Sequence, residues 1–138
     1  MPAELTLLFS NTAGQLFADP ANFLRARWAD QPRTLADTQA LFANMTLALR
    51  HHRWSRILVN QVIMQPFSPA EQQWVSQEWL PHAVQQGGYR VGAVVVSTDA
   101  YTRLATAYIT TNVGGLPLRY RSFDAEAEAL AWLLQQPA

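Results

Sequence analysis

The chain has 138 residues, 49% of them hydrophobic and 14% charged, and its ten basic and ten acidic side chains leave a formal net charge of +0. This composition suits one domain with a buried core, excludes disorder, and offers no basic surplus for gripping nucleic acid. Every basic residue is arginine and cysteine is absent, which excludes Schiff-base and Walker-lysine chemistry, disulfides, thiolate catalysis and thiolate metal sites.

Leu5-Thr-Leu-Leu-Phe-Ser10 reads as an opening strand, too short for a signal-peptide core or a membrane span, so a cytoplasmic chain is expected. Asn11 to Gly14 and Asp19-Pro-Ala-Asn22 carry turn chemistry and predict an antiparallel start. Phe23-Leu-Arg-Ala-Arg-Trp28 alternates as a half-buried strand does, with Leu24, Ala26 and Trp28 inward. Thr34 stands as an N-cap with Asp37 three residues on, and Leu35, Thr38, Leu41, Phe42, Met45, Ala48 and Leu49 recur at helical spacing up to about His52. Arg56 to Gln61 is a short β-branched run, the mark of a buried central strand.

Ser68-Pro69-Ala70-Glu71 is a capping box that starts a second helix toward Gly87-Gly88, with Pro81 expected to kink or break it near Leu80. Val91 to Ser97 carries no charge and predicts a strand buried on both faces. Asp99 caps a third helix whose inward stripe is read as Tyr101, Leu104, Ala105 and Tyr108, and Gly114-Gly115 ends the connection. Leu116 to Phe123, with Pro117, Arg119 and Arg121, reads as an edge strand. Asp124 then caps a last helix, with Leu130, Ala131 and Leu134 inward. The fold expected is α/β: a mixed, mostly parallel sheet with an antiparallel N-terminal hairpin, flanked by about four helices.

The order of these segments resembles the STAS-like, or anti-sigma-factor antagonist, family of single-domain bacterial proteins. The resemblance rests on the Trp28 strand before the Thr34 helix start, the Ile57-Leu58-Val59-Asn60 strand, Ser68-Pro69-Ala70-Glu71-Gln72-Gln73-Trp74 with Glu78-Trp79-Leu80-Pro81, Val94-Val95-Val96, and Phe123-Asp124 before Ala129-Leu130-Ala131-Trp132-Leu133. It implies a regulatory role exercised through protein docking, without catalysis. In the antagonist proteins a serine at the start of the helix after the central strand is phosphorylated. The matching stretch here runs from Asn60 to Ser68 without the aspartate-serine-serine-glycine motif, so Ser68 is read first as a helix cap, and it is the one candidate for phosphorylation near that helix start.

Catalytic constellations are missing from the sequence. His51 and His52 are adjacent on a helix and point about 100° apart, so they cannot share a metal as an i, i+4 pair would. Glu78 and His82 predict a surface ion pair. Neither a Gly-x-Ser-x-Gly elbow nor a phosphate-binding glycine loop occurs, and Asp99 or His82 as an acid or base lacks a second residue at a telling spacing. Trp79 shares an apolar face with Val75 and Ala83, and Trp74 is expected at its rim.

The expected site lies where parallel strands of an open α/β sheet end, at Asn60-Gln61, Ser97-Thr98-Asp99 and Ser122 to Asp124. After Asn60-Gln61 comes an unusually apolar connection, Val62, Ile63, Met64 and Phe67, which serves either as a lid on the core or as a contact surface with Met64 as its adaptable member. Asn60, Gln61, Met64, Phe67, Ser68, Ser97, Thr98 and Asp99 are therefore the candidate partner- or ligand-binding residues. The expectation is a non-enzymatic regulatory or adaptor domain with a protein partner. The alternative is a small apolar-ligand or lipid-binding module of the CRAL-TRIO-like type. Neither cofactor nor metal, nucleic acid or membrane span is expected, and an edge strand offers a route to a homodimer.

Overall fold

The computed structural model describes residues 4–111 and 115–137. Its six strands are β1 (Thr6–Ser10), β2 (Gly14–Asp19), β3 (Phe23–Trp28), β4 (Arg56–Asn60), β5 (Val91–Val95) and β6 (Arg119–Phe123), and they lie side by side in chain order. β1, β2 and β3 form an antiparallel meander, and β3 through β6 run parallel. This is the mixed sheet with an antiparallel N-terminal start that the residue pattern predicts.

Helix α1 (Leu35–His52) joins β3 to β4. A continuous helical run, α2 (Pro69–Trp74), a π-helical turn (Val75–Trp79) and α3 (Leu80–Gln85), joins β4 to β5. Helix α4 (Ala100–Thr110) joins β5 to β6, and α5 (Glu126–Leu134) follows. Each parallel strand is added on the same side of the last, so crossovers of one hand stack α1 to α4 on a single face. There Leu24, Ala26 and Trp28 meet Leu41, Phe42 and Trp79 in the larger core. The other face is left to α5, whose Ala129 and Leu133 cover Phe23, Leu58 and Val95 in a smaller one. All five residues of β5 are buried, as an uncharged central strand requires.

The caps at Thr34 and Ser68 are both capping boxes, and the Asp99 carboxylate accepts from the Thr102 N–H at 2.9 Å. Helix α1 ends in a left-handed Arg53, at φ 57°.

Several expectations are corrected. In α4 the buried stripe is Thr102, Ala105, Thr106 and Ile109, while Tyr101 and Leu104 are 76% and 68% exposed and Tyr108 is 50% exposed. Hydrophobicity alone picks the wrong face, because the buried threonines have their hydroxyls hydrogen-bonded: Thr106 Oγ1 donates to Gln61 Oε1 at 2.8 Å and Thr102 Oγ1 to Asp99 Oδ2 at 2.9 Å. In α5 the N-cap is Ala125 rather than Asp124, which pairs with Arg103 at 3.3 Å, and Ala129 and Leu133 face inward while Ala131 and Leu134 are exposed. Pro81 does not break its helix. A π turn precedes it, in which the Leu80 N–H donates to the Val75 carbonyl, and the wider turn absorbs the proline's missing donor. That turn also offsets the i, i+4 alignment, and no ion pair joins Glu78 to His82 among the described residues. β6 begins at Arg119 rather than Leu116 and is an edge strand. Gly115 has φ +87°, whereas Gly114 lies outside the described residues.

Candidate functional site at the carboxyl edge of the sheet

The loop from Gln61 to Phe67 leaves the carboxyl end of β4 and lies against the start of α4. Asn60 turns it: its Oδ1 accepts from the Val62 N–H at 2.9 Å, and its Nδ2 lies 3.4 Å from Glu126 Oε1. Gln61 is buried, its N–H donating to the Val95 carbonyl at 2.9 Å and its Oε1 receiving the Thr106 hydroxyl. Met64 and Phe67 are each 4% exposed and belong to the core, so in these two positions the loop is a lid. Val62 and Ile63, just before Met64, are 44% and 56% exposed. The adaptable outward contact expected at Met64 is thus carried by its two predecessors.

Ser97 is buried and its Oγ accepts from the Asp99 N–H at 3.0 Å, while Thr98 and Asp99 are exposed. The Asp99 carboxyl is held below its ordinary value by the Thr102 N–H and then by the Thr102 hydroxyl, so it is an occupied cap rather than a free base. Ser68 is exposed at the start of α2, its Oγ engaged by the Glu71 N–H at 3.1 Å. Asn60, Gln61, Met64, Phe67, Ser97, Thr98 and Asp99 therefore gather at one edge, though mostly as cap and core residues.

Sequence reasoning misses the residue that holds the loop in place. Arg33, with a side chain only 4% exposed, donates from Nε to Glu71 Oε2 at 2.7 Å and from Nη2 to Glu71 Oε1 at 3.1 Å. Its Nη1 and Nη2 also reach the carbonyls of Gln65 and Pro66 at 3.2 and 3.3 Å, and its guanidinium lies over the rings of Trp28 and Phe67. Thr38 Oγ1 donates to the same Glu71 carboxylate, and so does the Ser68 N–H at 2.7 Å. Burial pushes the Glu71 carboxyl up, but the hydrogen bonds from Arg33, Thr38 and Ser68 and the Arg33 charge outweigh it and leave the group below its usual range. The only sequence signal is Glu71 in the capping box; Arg33 lies in a polar loop before α1 with nothing to mark its burial.

Two concavities flank this clamp, and Phe67 lines both. Outside, Pro66, Phe67 and Gln72 face Tyr101, Leu104 and Ala105 across a groove between α2 and α4. Inside is an apolar cavity of about 60 Å³ between the sheet and the helices of its first face. Elsewhere, His51 and His52 end α1 exposed, with His52 stacked on Trp54 at 4.0 Å. Trp74 packs at the rim against Phe42, at 5.9 Å. No helix among the described residues is long and apolar enough to cross a membrane, and no three His, Cys, Asp or Glu side chains among them gather as a metal site would require.

Compared with family models, curated proteins and solved structures, the chain matches none of them.

Proposed function

We propose that this chain is a non-enzymatic regulatory or adaptor domain that docks a protein partner on the surface made by the loop after β4 and the outer side of α4. The observation that carries the reading is the apolar exposure there: Val62 44%, Ile63 56%, Leu104 68% and Tyr101 76%. Apolar side chains shown to water on adjoining elements mark interaction surfaces, and an aromatic beside a groove is the usual anchor of one. None of the four is charged, so the fitting partner presents apolar side chains, one of them seated in the groove between Pro66 and Leu104. The Arg33–Glu71 clamp supports the reading by holding the loop rigid, which lowers the entropy lost on docking. The STAS-like resemblance points to the same region, and a phosphate on Ser68 would bring negative charge against the Glu71 carboxylate that receives the Ser68 N–H.

The CRAL-TRIO-like alternative needs a chamber for an acyl chain. The interior space of about 60 Å³ falls well short of the roughly 300 Å³ at which ligand pockets begin, so docking is preferred.

The test is a pull-down from the protein's own cells with wild type, Ile63→Glu, Leu104→Glu and, as a remote exposed control, Leu47→Glu. Wild type and Leu47→Glu are expected to retain one shared partner that Ile63→Glu and Leu104→Glu lose. Identical retention by all four would overturn the proposal. Glutamate at Met64 or Phe67 would report on folding instead, because both are buried.

A further inference from the structure

The six strands lie in an open row, so the sheet has two edges, β1 and β6. Each edge shows backbone N–H and C=O groups that another strand can pair, and natural sheets guard such rows with charge, proline or a bulge. β6 is guarded by charge. Its exposed Arg119 and Arg121 alternate along the strand, and Pro117 stands two residues before it. β1, Thr-Leu-Leu-Phe-Ser, has neither charge nor proline. Among the described residues it pairs with β2 alone, and from Leu5 to Ala18 the chain carries no charged side chain. Its restraints are a length of five residues and a register shift between Leu7 and Phe9, which twist and shorten the edge without covering it.

The side chains of this edge are apolar and stand in water: Leu5, Leu7 and Leu8 are 39%, 53% and 39% exposed. The cross-strand row that starts at Leu7 passes through Phe17 and Arg25 to Leu58. Helix α5 covers that row at Leu58 and leaves it open at Leu7.

Charge decides which strand fits. A two-fold axis sets an edge strand antiparallel to its own copy, and side chains near the axis meet themselves, so any charge there repels. β1 is free of that repulsion, and it offers a foreign strand no charge pattern by which to be selected. Growth also stops at two copies. Pairing through β1 uses up the unguarded edge and leaves β6 at both ends of the joined sheet, where a further copy would meet Arg119 and Arg121.

We propose that β1 is the contact by which two copies of this chain associate, strand against strand, into a two-fold dimer with one continuous sheet. Five residues from each copy make a small contact, of the weak and transient class, so the dissociation constant is expected between about 1 μM and 1 mM. The proposal does not rest on the docking reading, whose residues lie on the loop after β4 and on α4.

Sedimentation equilibrium of the full-length protein across that range of concentration tests it. Wild type is expected to pass from the mass of one chain to twice that mass, and so is Ile63→Glu, which alters only the docking surface. Leu7→Lys and Leu7→Glu, each alone, are expected to keep the mass of one chain while melting as dilute wild type does, because the side chain replaced is exposed. Mixed in equal amounts, the two variants are expected to recover the doubled mass, since lysine then faces glutamate across the contact; loss of folding could not produce that recovery. A single-chain mass for wild type at every concentration, a doubled mass that Leu7→Lys retains, or no recovery in the mixture would overturn the proposal. So would a photo-crosslinker at Leu7 that, in the protein's own cells, yields an adduct with a different protein and none of twice the chain's mass.

Discussion

Replacing Glu71 by glutamine tests the clamp that holds the loop. The carboxylate receives Arg33 Nε at 2.7 Å, Arg33 Nη2 at 3.1 Å, the Ser68 N–H at 2.7 Å and the Thr38 hydroxyl. Glutamine keeps the volume but offers one acceptor oxygen, turns an NH2 toward donors, and strands a guanidinium whose side chain is 4% exposed. Breaking a buried pair from one side costs about 3–5 kcal/mol, a large part of the roughly 5–15 kcal/mol that holds a domain folded. Urea titration should show that loss as a lower midpoint with an unchanged slope, and melting should fall by on the order of 10 °C. The double variant Arg33→Met, Glu71→Leu removes both charges and should be more stable than Glu71→Gln alone, because no buried ion is left unpaired. A loss below about 1 kcal/mol for Glu71→Gln, the level of an exposed pair, or a double variant worse than the summed singles, would refute the argument.

Met64→Ala should cost about 2–5 kcal/mol and Phe67→Ala about 3–5 kcal/mol in the same titration, since both side chains are 4% exposed and leave a cavity when cut back. Gly92→Ala should destabilise by about 1–3 kcal/mol through overpacking against Tyr89. Adding Tyr89→Phe should recover part of that loss, as the oxygen 2.1 Å from the new Cβ is then gone. In acid, Glu71, Asp37 and Asp99 are all held below their ordinary values of 4.5, 3.8 and 3.8 in the folded chain. Their contribution is therefore complete above those values and is lost as pH falls through the lower folded ones. Melting temperature measured from pH 7 downward should hold until about pH 5 and then decline, and Glu71→Gln should flatten the decline.

The strands and caps are legible in the sequence because their signals are local. A Thr34 or Ser68 three residues before an acid, or an uncharged Val91 to Val95, means the same thing in most surroundings. Helix faces are less so. Tyr101, Leu104 and Tyr108 outrank Thr102 and Thr106 in hydrophobicity, yet the threonine face is the buried one, with Thr102 bonded to the Asp99 cap and Thr106 to Gln61, 45 residues away in the chain. In α5 the alternatives differ by one residue, and Asp124 pairs with Arg103 while Ala125 takes the cap position. The candidate site is half legible. The apolar loop after β4 stands out by composition, but which of its side chains turn inward depends on Arg33, 38 positions from Glu71 in the chain. The buried Trp28 Nε1 and Arg56 Nε, which lack hydrogen-bond partners among the described residues, leave no trace in any sequence pattern.

Docking is tested most directly by placing a photo-crosslinking amino acid at Ile63, Leu104, Leu47 or Leu134 in turn and irradiating the protein in its own cells. All four positions are exposed, at 56%, 68%, 60% and 48%, so exposure alone cannot separate them. The account predicts one covalent adduct of the same higher mass from positions 63 and 104 and none from 47 or 134. The same adducts from all four positions, or none from 63 and 104, would contradict it.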